Sequence, residues 1–268
     1  MINFKDITLG HYIYRDSFLH RLDPRMKLIL LLVQMVFILL MNQFIMMPLL
    51  ALLIIFYYHT ARLSVQYALK SMRPFYILFI LTMLMHAFFA VESNYIRLPL
   101  IGLKFSPFGF LTGVFYSFRI ICLIAIAHLL TLTTSPMSLT DAIENLLKPF
   151  HKLGIPAHDI AMMLSIALRF IPIMIEEADR IQKAQLSRGG ALHGRFINKL
   201  KGLIPLLIPL FMSTFRRAHD LALAMESRCY RGGQGRTRLY ELKYTNSDML
   251  AAGFTAGAAL IFLLLWYL

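Results

Sequence analysis

The chain has 268 residues, 58% of them hydrophobic and only 15% charged, with a mean hydropathy of +0.65. That balance excludes an ordinary soluble domain and makes an integral membrane protein the expected class. Its 27 Lys and Arg against 14 Asp and Glu leave a net charge of +13, compatible with nucleic acid or anionic lipid until its placement along the chain is read.

Asp6, Arg15, Asp16, Arg21 and Asp23 interrupt any apolar run near the start, so no cleavable leader is expected. Asp23 then offers a helix N-cap, with Pro24 at the first helical position. The apolar run from there ends at Met41, and a second extends from Phe44 to Thr60 beyond the break at Asn42-Gln43. A single helix from Pro24 to Thr60 would be ~55 Å long at 1.5 Å per residue, too long for one crossing, so two spans are expected. Three more are read at Pro74 to Val91, Phe108 to Leu132 and Met249 to Leu268. Two prolines and two glycines in "YIRLPLIGLKFSPFG" predict an irregular or short-stranded loop.

Lysine and arginine placement sets the expected orientation. The Asn42-Gln43 turn has none, the loop after the third span has Arg97 and Lys104, and the segment from Pro136 to Asn246 carries sixteen. The N-terminus and that long segment are therefore expected in the cytoplasm and the C-terminus outside. The net charge is then mostly cytoplasmic, and no nucleic-acid partner is expected. The division expected is residues 1–135, with four spans; 136–246, a cytoplasmic coupling-helix domain; and 247–268, a last span. The fold class is all-α and polytopic, with about five transmembrane helices and long interfacial helices.

Within 136–246, Ser138 and Asp141 have capping-box spacing for a short helix ending near Pro149. A second helix is nearly all apolar up to Pro172 and amphipathic beyond it, with Glu176 and Arg180 in favourable i to i+4 order. A third begins near Arg195; Pro205 and Pro209 argue against a straight span there. Both long helices run into a Ser-Arg pair, Ser187-Arg188-Gly189 and Ser227-Arg228-Cys229. The stretch "MESRCYRGGQGRTRLY" holds four arginines and three glycines in its sixteen residues.

Cys122 and Cys229 make no disulfide framework, and the nine histidines are scattered, so no metal site is expected. No G-x-x-x-x-G-K-[ST] or H-E-x-x-H motif is present, and no Ser/His/Asp set can be placed; catalysis and cofactors are not expected. A membrane-embedded enzyme lacks its acid, base or metal set. A secondary transporter lacks the polar residues usual in several spans. Arg119 stands mid-run in the fourth span, as a functional residue or as one shifted toward the interface. Gly253 and Gly257 form a small-xxx-small pattern expected to pack helices inside this chain. Met162, Met163, Met174 and Met212 are either ordinary core or an adaptable docking surface.

"AQLSRGG" and "AMESRCYRGGQGRTRLYEL", with "RLDPRMKL" before the first span and "LSIALRFIPIMIEEADRIQKAQ" between, resemble the transmembrane T component (EcfT/CbiQ-like) of energy-coupling factor transporters. The resemblance spans nearly the whole chain. It implies a non-catalytic subunit in a prokaryotic cell membrane, with two ABC-type ATPases and a membrane-embedded substrate-binding S component as partners. It also implies that Ser187, Arg188, Gly189, Ser227, Arg228 and Cys229 form two ATPase-coupling signatures. Ser187 and Ser227 replace the usual alanine, and Cys229 the usual glycine. Arg231, Arg236 and Arg238 are open to three readings: ATPase contacts, lipid contacts or a solvated face. A shared vitamin-uptake module is the reading preferred over one dedicated to cobalt or nickel, because "YRGGQGRTRL" looks more like the shared group.

Overall fold

The computed structural model describes residues 12–89, 96–97, 104–154, 156–189, 196–232 and 242–267. It is all-helical apart from one antiparallel pair of two-residue strands, β1 (Ile96–Arg97) and β2 (Lys104–Phe105), with Ile96 opposite Phe105. This is the short-stranded loop expected from the prolines and glycines. The described chain divides into two compact units, residues 136–241 and Tyr12–Ser135 with Leu242–Leu268.

The second unit contains α1 (Phe18–Arg21), α2 (Pro24–Leu40), α3 (Met46–Thr60), α4 (Val65–Met72), α5 (Tyr76–Phe89), α6 (Pro107–Thr133) and α10 (Asn246–Tyr267). Asp23 caps α2 through its side chain, which accepts from the Arg25 amide, and Pro24 supplies the first turn. Helix α6 starts in the same way, with the Ser106 hydroxyl accepting from Gly109 N–H and Pro107 behind it. Ile38, Met41, Met46, Leu50, Phe115, Cys122, Ile126 and Phe262 form one apolar cluster. A second gathers around Tyr58, whose hydroxyl donates to Ala125 O at 3.0 Å. Helices α5 and α6 approach backbone to backbone at Gly113, where a Cβ would lie 2.9 Å from Met83 Cα.

Large apolar side chains cover the outside of this unit; Leu32, Leu39, Leu40, Leu52 and Ile77 are each more than half exposed. A surface of that kind belongs in lipid. Among the described residues, four helical stretches are long and apolar enough to cross a membrane: Val65–Phe89, Pro107–Thr133, Ala157–Ser187 and Asn246–Leu264; Met46–Thr60 is apolar but shorter. The third span thus begins at Val65 and not at Pro74. Ser64 caps α4, and Pro74 sits in a 3-10 turn that carries α4 on into α5, a position that costs no α-helical ladder bond.

The other unit contains α7 (Pro136–Leu147), α8 (Ala157–Ser187) and α9 (Phe196–Ser227). Helix α7 opens at Pro136, so Ser138 lies inside it and is not its N-cap. The proline-first rule that placed α2 applies here as well. Pro205 and Pro209 lie within one continuous helix: each removes one ladder bond without ending α9. Helices α8 and α9 join through Arg217 and Glu177 at 3.1 Å and through the Thr214 hydroxyl, 2.9 Å from Met174 Sδ.

Candidate functional site

The two arginines of the duplicated signature occupy the same place on their helices. Each follows the last residue of a long helix, Ser187 of α8 and Ser227 of α9. At the first, Gly189 takes a φ of +80° and its amide donates to Leu186 O at 3.0 Å. At the second, Cys229 takes a φ of +55°, its amide donates to Glu226 O at 2.8 Å, and Tyr230 N–H reaches back to Met225 O at 3.0 Å. The pattern at α9 is a Schellman stop with Arg228 as the capping residue, and α8 shares its described half. The serines turn inward: Ser187 Oγ donates to Lys183 O and Ser227 Oγ to Ala224 O. Both guanidinium groups are exposed and make no hydrogen bond or ion pair with a described residue.

This geometry explains why small residues flank each arginine. The preceding serine closes its hydroxyl onto its own helix, and the following residue must turn left-handed, where glycine is at ease and an L side chain costs ~1–2 kcal/mol. Cys229 carries that strain. Cys229→Gly is expected to gain about 0.5–1 kcal/mol locally, read as slower hydrogen exchange at the Tyr230 amide. Cys229→Val, β-branched at positive φ, should speed that exchange. Unchanged exchange in both would mean that the turn is held by something other than local backbone preference.

Arg231 is also exposed; Arg236 and Arg238 lie outside the described residues, as does Gly190. Arg119 is half-buried, its guanidinium carbon 5.1 Å from both the Phe115 and Tyr116 ring centroids and its Nη2 3.4 Å from Asn42 Oδ1. Gly253 and Gly257 face open space, with nothing within 4 Å of a Cβ built at either. Among the described residues nothing packs against either glycine. Met163 and Met212 are 58% and 62% exposed, whereas Met174 is half-buried against Thr214. Among the described residues no group of three His, Cys, Asp or Glu could hold a metal ion.

One cluster had no sequence signal. Glu144 of α7, only 8% exposed, lies 3.2 Å from His158 Nδ1, and the other ring nitrogen of His158 lies 3.2 Å from the Tyr230 hydroxyl. This bridge ties the turn after Arg228 to the start of α8 and to α7. It leaves the arginine projecting from a three-helix support, and a guanidinium so presented can pair bidentately with a partner carboxylate.

Fold and site together define an all-helical polytopic membrane protein with a duplicated arginine-bearing helix end. The family model described as "Cobalt transport protein" (CbiQ) matches residues 15–239. The chain is 44% identical over 252 residues to a protein of Clostridium kluyveri named energy-coupling factor transporter transmembrane protein EcfT, with 92% of each chain covered. Proteins of the same name are 45% identical in Acidaminococcus fermentans, with 91% of each chain covered, and 41% identical in Thermosediminibacter oceani, covering 98% of this chain and all of that one. The chain belongs to the CbiQ family, as an EcfT-type energy-coupling transmembrane component of energy-coupling factor transporters.

Proposed function

We propose that this chain is the non-catalytic scaffold through which two ABC-type ATPases drive a substrate-binding S component in the cell membrane. The observation that carries the reading is the repeated helix end, which presents Arg188 and Arg228 alike, exposed and unpaired with described residues. Two equivalent cationic ends suit two equivalent acidic grooves, one in each ATPase. Residues 136–246 act as the coupling domain. The exposed apolar face of α9, with Ile204, Leu207, Ile208, Phe211, Met212 and Phe215, suits a membrane-embedded partner, and Met212 lets that face repack against different ones. The name EcfT shared by the relatives is that of an energy-coupling component, and a vitamin or other micronutrient is the substrate class we propose for the importer. The family description favours a dedicated cobalt carrier as the second reading. Arg231, Arg236 and Arg238 are further candidate contacts to an ATPase or to lipid headgroups.

Affinity purification from native membrane should recover two ATPase chains and an S component. The purified chain alone should hydrolyse no ATP, since its sequence holds no phosphate-binding loop. Robust turnover by a preparation free of contaminating ATPase would overturn the scaffold reading.

The proposed orientation puts the N-terminus and the coupling domain in the cytoplasm and the C-terminus outside. In a background lacking Cys122 and Cys229, a cysteine at Asn42 or Ser93 should react with an impermeant thiol reagent in intact cells, and one at Gln185 should not. Labelling at Gln185 in sealed, right-side-out cells reverses the assignment.

A further inference from the structure

Among α2, α3, α6 and α10 lies a cavity of about 280 Å³, nearly twice the ~150 Å³ of a cavity that holds one benzene ring. Its walls are largely apolar, with Leu30, Phe56, Leu129 and Phe254 among them. Of the polar groups in that lining, Lys27, Thr60, Thr133 and Thr255 bond to backbone carbonyls of the chain, and two groups do not. Gln34, only 5% exposed, makes no hydrogen bond to a described residue, and the Tyr57 hydroxyl is buried without a partner. Buried amides and hydroxyls are nearly always paired in native proteins. The pair therefore points to an occupant that brings hydrogen-bonding groups into an apolar slot.

The two ends of the cavity differ. Lys27 lies seven residues before Gln34 on α2, about 10 Å along the axis at ~1.5 Å per residue. Its Nζ donates to His20 O at 3.1 Å and Thr133 O at 3.0 Å, and an ammonium has a third donor to offer. Phe18 and Thr60, at the same end, also line an adjoining recess with His59, Arg62 and Ser64. Three acids lie nearby: Asp16 pairs with Arg21, Asp248 accepts from Asp23 N–H and from Thr245, and Asp23 accepts from the Arg25 amide through Oδ1 while its Oδ2 is buried without a partner. One end thus carries Arg62 in a recess with the Thr60 and Ser64 hydroxyls, beside Lys27 with its two carboxylate neighbours Asp23 and Asp248, and the other is apolar.

We infer that this cavity is a site for one anionic glycerophospholipid of the bilayer. An acyl chain fills the slot, the ester carbonyls accept from the Gln34 amide and the Tyr57 hydroxyl, and the phosphate lies in the recess beside Arg62, His59 and Lys27. A lipid without net headgroup charge satisfies the slot alone, and inorganic phosphate the recess alone. The inference rests on the membrane fold and is independent of the ATPase reading.

The test uses the full chain in detergent, with thermal unfolding and native mass spectrometry in the presence of phosphatidylglycerol, phosphatidylcholine of the same acyl chains, or inorganic phosphate. Phosphatidylglycerol should raise the melting temperature well beyond phosphatidylcholine, with one molecule retained per chain, and inorganic phosphate should not raise it. Ala251→Phe adds a ring to a residue of the cavity wall, and Arg62→Gln removes a charge from the recess. Each should melt like the original chain in phosphatidylcholine and lose the phosphatidylglycerol shift. Gln34→Leu keeps the bulk, removes one hydrogen bond, and should weaken phosphatidylglycerol retention about fivefold, a readout that stands if Ala251→Phe fails to fold. Equal stabilisation by phosphatidylcholine, a shift with phosphate alone, or undiminished phosphatidylglycerol binding by Arg62→Gln and Gln34→Leu would each overturn the assignment.

Discussion

Arg228→Ala is expected to strip one ATPase from the complex and to abolish most substrate uptake at equal membrane expression. Truncating one member of a desolvated charge pair costs ~2–5 kcal/mol, enough to turn a stable contact into a transient one. Because the left-handed turn after Arg228 is set by Cys229 and by backbone bonds to Glu226 and Met225, removing the guanidinium leaves the helix end formed, and the loss reports on the partner. Arg228→Lys keeps the charge without the planar fork and should be intermediate. Arg188→Ala with Arg228→Ala should do more harm than either alone, since two tethered contacts hold a dimer through effective concentration. Arg231→Ala, outside the capping position, should do less. Co-purified ATPase and uptake are the measurements. Wild-type values for the double variant would mean that the arginines serve only their own helices, through the favourable charge–dipole interaction at a C-terminus.

How far this arrangement could be read from the sequence depends on how local each determinant is. Asp23-Pro24 announced α2, and a cap needs nothing beyond its own turn. A stop after Arg188 was legible in Gly189 for the same reason, whereas the left-handed turn at Cys229 had no such sign. Pro74 misled because a proline marks a first turn equally well when that turn is a 3-10 bridge inside a longer helical stretch. The amphipathic eight residues of α4 before it offered no apolar run to extend the span. Ser138 misled because capping-box spacing outweighed the proline two residues earlier. Gly253 and Gly257 were legible as a small-residue face, but not what that face meets. Glu144, His158 and Tyr230 lie fourteen and seventy-two residues apart; only the fold brings them together. The Gln34 and Tyr57 pair is illegible for the same reason, since an unpaired polar group becomes evident only when its surroundings are known.

Asp248→Ala should destabilise the membrane unit more than any exposed substitution in it. Asp248 is 2% exposed and opens α10. Its Oδ2 accepts from the Thr245 amide at 2.7 Å and the Thr245 hydroxyl at 2.8 Å, as a helix cap does. Its Oδ1 accepts from Asp23 N–H at 2.8 Å, across 225 residues of chain. The same carboxylate therefore caps α10 and clasps the N-cap of α2, whose own side chain holds the Arg25 amide. Alanine leaves the buried Asp23 donor without its acceptor, and a buried donor left unpaired costs ~1–3 kcal/mol. With the lost cap to the exposed Thr245 at ~1 kcal/mol, the expected total is about 2–4 kcal/mol. Asp248→Asn retains one oxygen but turns an NH2 toward a donor, so it should fall between. Asp248→Glu keeps the charge on a longer arm that overshoots both partners, and should be little better than asparagine. Thermal unfolding of the purified chain in one detergent orders the four forms. Asp248→Ala melting with the original chain would mean that α10 is held by its apolar contacts alone, Phe262 in the core cluster and Phe254 stacked on Phe56.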